Sequence, residues 1–502
     1  MSQFRVLNNY SWFRSIAILA MLFLSITWLP SATFAQEVKP DYDLDPYSVK
    51  IEVIFADQIY LSPQLRKQLI DDLHRLNRRT YGEMWKRTVE ENSTLLPRTL
   101  DVLERTSPER MKADYSTDEC DKVFLCFVAR KGLRYEVAVR EWDTVLENFS
   151  LTEVEQVLTT EEIPVQLNNL MVRTFRPMAK IRKVDRMENS AQLILRAGEY
   201  PASDPNAAQV KEGDLFLPAL RYLDKNNVVQ KIQFFDWNYL RVEKIDRGRL
   251  LCSAISGAQT PLGSRGLRRV EQYGIRIRPL RSSTQIRLCK FNQPELPLVA
   301  HQVLSFLKNS YREDAIEEPT NLLSDRQGII DVPLRPDHPV QWLYINSGSA
   351  LLGRVPVVPG IHEFIQCPLP DDSTRLEVEG RIEELKGRIV EIIALRSSIM
   401  AEIRVAANKE KWDQVDQLLP RLDELPPVDE LKSDLNTIRV LPRQRAIDLG
   451  NPVGARRIDQ LADKTAPFID KYLNPAVVEQ FKEEIAAERA ASEAAKEQEA
   501  KK

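Results

Sequence analysis

The chain has 502 residues, of which 43% are apolar and 28% charged, an ordinary globular composition for about three folded units. That excludes a wholly disordered chain, a collagen-like fibre and a multi-span membrane protein. The formal net charge of −3 offers no global polycation to grip nucleic acid, so no nucleic-acid partner is expected. With 30 prolines against 17 glycines, many short β segments joined by stiff corners are favoured.

Residues 1–35 read as a secretory signal peptide. Arg5 and Arg14 form a basic n-region before an apolar run, Ile16 to Leu29, broken only by Ser25 and Thr27 and ended by Pro30. Thr33 and Ala35 supply small residues at −3 and −1, placing cleavage after Ala35. The run is shorter than the ~20 residues of a spanning helix; an uncleaved anchor is the alternative. No second stretch approaches membrane length, so the mature chain is expected outside the cytoplasm, in the periplasm, the cell envelope or the medium. Of the five cysteines, Cys120 and Cys126 close a short loop and form the favoured disulfide candidate, with Cys252 and Cys289 as a second. Buried free thiols are the competing reading for each.

Residues 36–46 form an acidic, Pro-containing linker. Asp41, Asp43, Asp45 and Glu52 match positions 1, 3, 5 and 12 of a calcium loop, but Pro46 stands where that loop needs glycine. Residues 47–187 read as an α+β domain. Val49, Ile51, Val53 and Phe55 alternate with Lys50 and Glu52 as a strand, and Ser62-Pro63 caps a helix running to about Arg79. Strands 122–129 and 133–142 flank Lys131-Gly132 as a hairpin. Thr152-x-x-Glu155 reads as a capping box and Pro164 as a first-turn proline. A strand at 178–185 closes the unit, in the order β-α-β-β-α-β of a ferredoxin-like sandwich.

Residues 188–292 lose helical periodicity and show seven short strands, the last two at 273–279 and 284–290, as expected for a small barrel or sandwich. Residues 295–372 form a second all-β unit. Here Ser324-Asp325-Arg326-Gln327-Gly328 leads into the strand Ile329 to Val332, a hairpin turns at Ser347-Gly348-Ser349, and Pro359-Gly360 makes a corner. This pattern, over about 300–370, resembles the transthyretin-like or carboxypeptidase regulatory-like β-sandwich, with Ser324 in place of the usual threonine. The resemblance implies an accessory, non-catalytic module with a spacer or adhesive role.

From Ser373 the chain turns helical. Val378, Ile382, Leu385, Ile389, Ile392, Ile399, Ile403 and Ala406 keep a 4-3 spacing, and Trp412 to Leu425 carries a second stripe, giving a helical hairpin over 373–440. A helical segment over 441–476 and an Ala/Glu/Lys-rich tail over 477–502 follow. The stripe at 378–406 either mates with 412–425 or mediates self-association. The whole is a multidomain α+β protein: a ferredoxin-like unit, two all-β units and a helical hairpin.

Catalytic signatures do not emerge. Nucleophile elbows, zinc-protease motifs and phosphate loops are missing, and the four histidines, His74, His301, His338 and His362, stand apart from one another. No cofactor and no metal are expected. Glu141 and Asp143 around Trp142 are the best carboxylate candidates for a secreted carbohydrate hydrolase; a strand end with Trp142 in the core is the plainer reading. The strongest signal is basic. Arg265, Arg268, Arg269, Arg276, Arg278, Arg281, Arg287 and Lys290 crowd one stretch against the single acid Glu271. If 273–290 forms one hairpin, Arg276, Arg278 and Arg287 share a flat cationic face suited to sulfate, phosphate or carboxylate. Arg265, Arg268, Arg269, Arg276, Arg278 and Arg287 are therefore the expected binding residues. Their partner would be an anionic envelope glycan, lipid head groups or another envelope protein, held by a non-enzymatic interaction protein.

Overall fold

Alternation along Tyr47–Phe55 (β1) sends Val49, Ile51 and Val53 to one face of a sheet and Ile54 to the other. The computed structural model describes residues 41–500 apart from residues 118, 186, 258–268, 292, 310–317, 349 and 450; residues 1–35, expected to be a signal peptide, lie outside them. The Ser62 hydroxyl accepts from the Leu65 amide and opens α1 (Pro63–Tyr81). Then follow β2 (Trp85–Glu91), α2 (Leu100–Arg105), α3 (Pro108–Asp114), β3 (Lys122–Lys131), β4 (Arg134–Asp143), β5 (Asn148–Phe149), β6 (Glu153–Val157) and α4 (Glu162–Thr174). The sheet runs β2-β1-β3-β4, with β5 and β6 both on the far edge of β4. Leu69 and Leu73 of α1 and Leu167 and Leu170 of α4 pack on one face; Leu103 and Met111 of α2 and α3 cover the other.

This is not the ferredoxin-like arrangement expected. β1 is parallel to both neighbours, β2 and β3, and the strand expected to close the unit leaves for the next one. The supposed capping box is strand β6, because Val154 and its neighbours pair with β4; the helix starts at Glu162.

β7 (Met178–Asp185), β8 (Ser190–Leu195), β9 (Leu215–Leu223), β10 (Val229–Phe234), β11 (Asn238–Asp246), β12 (Arg249–Ser256) and β13 (Val270–Ile277) make the second unit. Six of them close a barrel in the order β9-β11-β12-β8-β7-β13, and β10 extends β9. Leu193, Phe216, Leu240, Val242 and Leu250 fill it. Outside, Leu217 and Ile275 join the core of the first unit. Charge fixes the same contact: Arg196 reaches Asp45 at 2.9 Å and Asp121 at 2.6 Å. The segment 41–46, expected as a linker, is thus docked.

β14 (Ser283–Lys290), β15 (Gln293–Pro297), β16 (Gln302–Phe306), β17 (Thr320–Leu323), β18 (Ile329–Pro333), β19 (Gln341–Ser347), β20 (Ala350–Val357) and β21 (Phe364–Leu369) form a β-sandwich of two four-stranded sheets. Ile286, Leu288, Ile330, Leu343, Ile345 and Leu369 meet between them. β14, expected in the preceding unit, pairs with β18 and β21 here. The boundary therefore falls between Ile277 and Ser283.

The last unit is helical: α5 (Ser373–Asn408), α6 (Trp412–Asp423), α7 (Val428–Asp448), α8 (Pro452–Tyr472) and α9 (Pro475–Ala500). Val378, Ile382, Leu385 and Ile389 of α5 bury against Leu431 and Leu435 of α7 and Ile458 of α8. Ile399 and Ile403 bury against Val415 and Leu422 of α6 and Phe481 and Ile485 of α9. The hairpin of α5 and α6 is thus part of a five-helix unit, and its stripe is covered from within the chain. The first half of the tail packs as well.

Candidate anion-binding cleft

A buried ion cluster sits where the first unit passes into the barrel. Lys122 opens β3 directly across the ladder from Asp143 of β4. Its ammonium donates to Asp143 at 2.5 Å, to Glu141 at 2.9 Å and to the Arg176 carbonyl at 2.7 Å, which uses all three N–H groups. Glu141 also accepts from the Arg176 amide at 2.7 Å and its Nε at 3.2 Å. Trp142 points away into the opposite core. The carboxylates that looked most suited to carbohydrate chemistry therefore face a lysine in the interior and no cleft.

Above this cluster lies a cleft of about 480 Å³, where β4, β5 and the end of α4 meet β9, β10, β13 and the loop after β20. Arg140, Arg173, Arg176 and Arg278 line it, with His362. Two of these cations are neutralised. Arg173 pairs with Glu155 at 3.0 Å, and Arg176 with Glu141 while its Nη1 and Nη2 donate to Asn148 and Phe149. The other two are not. Arg140 donates from Nε to the Ser150 carbonyl and from Nη1 to the Leu103 and Glu104 carbonyls. Its guanidinium lies 3.8 Å from the Phe149 ring centroid. Arg278 donates from Nη1 to the Val172 carbonyl at 2.9 Å. Among the described residues neither forms an ion pair, and neither Nη2 has a hydrogen-bond acceptor.

Burial, with Arg176 close by, pushes the Arg140 guanidinium down to about 10. Burial lowers Arg278 as well, and burial with Arg176 nearby lowers the His362 imidazole. Backbone carbonyls hold both free guanidiniums in place, so they present preorganised donors to any anion entering the cleft. Pro359-Gly360 positions the His362 side: Gly360 has φ +88°, and a Cβ there would stand 2.3 Å from the Arg281 carbonyl oxygen. A second cleft, of about 500 Å³, opens between sandwich and helices. There Lys290 is paired with Asp371, Arg375 with Asp372 and Glu379, and Arg457 donates to the Leu351 carbonyl.

The expected arginines do not form one face. β13 belongs to the barrel and β14 to the sandwich, so no hairpin joins them. Arg276 is 1% exposed and plugs the barrel end, donating to the Gln209 and Phe175 carbonyls with Asp214 at 3.6 Å. Arg278 alone reaches the cleft. Arg287 lies on the sandwich and donates to the Glu295 carbonyl, Arg269 is exposed at the turn before β13, and Arg265 and Arg268 lie outside the described residues. Cys120 and Cys126 are free, buried thiols in cores on opposite faces of the sheet. Cys252 and Cys289 are also free and sit in different units. Among the described residues no group of three or more His, Cys, Asp or Glu is arranged to hold a metal ion, and no helix is long and apolar enough to cross a membrane. Sequence reasoning missed Arg140, Arg173, Arg176 and His362; the only signal was the cationic start of the Arg140-Glu141-Trp142-Asp143 run.

No family model and no curated protein matches the chain. Among solved structures, TolB from Acinetobacter baumannii aligns at 11% identity over 63% of this chain and 84% of its own, with a TM-score of 0.17. The Bacillus anthracis TIE protein aligns at 10% identity over 47% and 43%, TM-score 0.14. BcpA, the major pilin subunit of Bacillus cereus, aligns at 6% identity over 50% and 71%, TM-score 0.13. Likeness at this level carries no argument about function.

Proposed function

We propose that this chain is an exported, non-enzymatic binding protein of the cell envelope or extracellular space, and that it holds an anionic ligand in the cleft between its first three units. One observation carries the reading: Arg140 and Arg278 are partly buried cations fixed by main-chain carbonyls, and among the described residues neither forms an ion pair, Glu104 and Asp214 acting on them only from beyond ion-pair distance. Burying such a charge is costly unless an opposite charge arrives. Export rests on the signal-like residues 1–35, and the partners that fit are an anionic envelope glycan, lipid head groups or an acidic surface of another envelope protein.

The sandwich supports the non-catalytic reading through its resemblance to transthyretin-like, carboxypeptidase regulatory-like modules. Asp325 accepts from the Gln327 and Ile329 amides, each at 2.8 Å, and Gly328 takes φ +75°, the turn chemistry that the motif implies. Co-sedimentation with isolated cell envelopes at low and high salt tests the function. Binding released by salt and lost in Arg278→Gln supports it; binding indifferent to both removes the cleft from consideration. N-terminal sequencing of the exported chain should begin at Gln36; retention of Met1 would replace the cleaved signal by an anchor.

A further inference from the structure

Resting on that reading, we infer that the cleft takes an amphiphile, with one anionic head group at Arg140 and Arg278 and an apolar body along the barrel wall. The two sides of the cleft are chemically different. The first unit supplies Arg140, Arg173 and Arg176, and Arg278 follows β13 on the barrel side. Phe234, Ile277, Leu280 and Ile361 supply half-buried apolar surface opposite. Asp236 also lines the cleft, and burial raises its carboxyl.

Volume argues the same way. About 480 Å³ holds on the order of a dozen waters, whereas a sulfate- or phosphate-sized head displaces only a few. A bare anion would leave the apolar wall wet, and a ligand with a hydrocarbon body would cover it. Each buried methylene then tightens binding about three- to fourfold until the wall is covered. A lipid head group with its proximal chain and a free fatty or sulfonated acid share this chemistry.

Calorimetric titration of the purified full chain with a series of n-alkyl sulfonates, from methane- to octanesulfonate and below their micellar concentrations, decides the matter. Sulfonates keep one negative charge across the working pH range. Affinity should rise about three- to fourfold per methylene, fall at least tenfold in Arg278→Gln and stay unchanged in Arg287→Gln. Phe234→Ser should flatten the chain-length dependence while leaving methanesulfonate binding alone, which keeps the test valid if Arg278→Gln misfolds. Equal affinity across the series would overturn the amphiphile but keep anion binding. Octyl glucoside binding as tightly as octanesulfonate would overturn the placement of the head group. No binding of any sulfonate would remove the anion-binding reading itself. Mixed vesicles of anionic phospholipid, compared with octanesulfonate, tell a membrane source from a free acid: only the former brings the chain down with the lipid.

Discussion

Replacing Lys122 by Met isolates the buried cluster that supports the cleft. The wild-type group is neutral, with Lys122 and Arg176 against Glu141 and Asp143; the lysine and both carboxylates are 0% exposed. Without the ammonium, Glu141 keeps the Arg176 amide and Nε, but Asp143 keeps only the Leu146 amide at 2.7 Å. One carboxylate is left without an opposite charge in the interior. Breaking a buried pair in this way costs about 3–5 kcal/mol. At 1.4 kcal/mol per decade, amide protection of β3 and β4 should fall by a factor of about 10² to 10³ or more. Hydrogen exchange resolved by peptide is the assay, because unfolding of a chain of several units is not one transition. The sandwich and helical peptides serve as internal controls and should not change. In Lys122→Met/Asp143→Asn neutrality returns, so the double variant should recover part of the loss, with a coupling of about 0.5–3 kcal/mol. Less than a tenfold drop in protection, or a double variant worse than the sum of the singles, would refute the claim that this cluster is a dry, paired unit.

Acidification should affect the cleft in two opposite ways. Burial and Arg176 hold His362 below its ordinary 6.5, so the unfolded chain takes up the proton first; stability falls as pH drops from 6.5 through the lower folded value, while octanesulfonate binding tightens over the same interval as the imidazole charges. A calorimetric pH series checks both, and binding that weakens on acidification would contradict the placement of His362. Arg375, 2% exposed, donates to the Ser347 carbonyl at 2.5 Å, to Asp372 at 2.8 Å and to Glu379 at 2.7 Å; Arg375→Met should cost roughly 3 kcal/mol at the sandwich–helix junction and speed protease cleavage near Asp371, and an unchanged cleavage rate would show the junction to be held otherwise. Gly328→Ala puts a Cβ 2.5 Å from the Leu288 carbonyl at φ +75°, which should cost about 1–3 kcal/mol, read as loss of hydrogen-exchange protection in β14 and β18; full protection in the variant would refute that geometry.

What the sequence shows plainly is what local periodicity controls. The β1 alternation, the Ser62-Pro63 start of α1 and the 4-3 stripe of α5 all appear in the structure, the stripe buried in two successive cores. β2 stays hidden because it is an edge strand carrying Lys86, Arg87, Glu90 and Glu91, charges that suit an edge and mask a strand. β6 is hidden by Thr152 and Glu155, whose spacing also fits a helix cap. The assignment of β14 fails for another reason: its pattern fits a strand in either unit, and only its pairing with β18 and β21 decides. The cleft draws Arg140, Arg278 and His362 from three units, so no window of sequence holds it. Charge density singles out Arg278, yet the fold uses it through its hydrogen bond to the end of α4 rather than as part of a flat sheet.

Among the described residues, buried cations differ in how their charge is met, and the difference bears on function. Lys122 with Glu141 and Asp143, Arg196 with Asp45 and Asp121, and Arg375 with Asp372 and Glu379 each meet opposite charge at hydrogen-bonding distance, and each lies where segments of different units are joined. Their desolvation is offset inside the protein, and they act as joints. Arg276 is intermediate, with three main-chain acceptors and Asp214 closing a barrel end. Arg140 and Arg278 are hydrogen-bonded by carbonyls, with Glu104 and Asp214 acting on them only from beyond ion-pair distance, and both face the same 480 Å³ cleft. Dipoles satisfy the donors that touch them but do not cancel a charge. Among the described residues Arg87 and Arg457 are likewise held by carbonyls without an ion pair, but Arg140 and Arg278 share one cleft, and on the proposed function that cleft is where a counter-charge enters from outside.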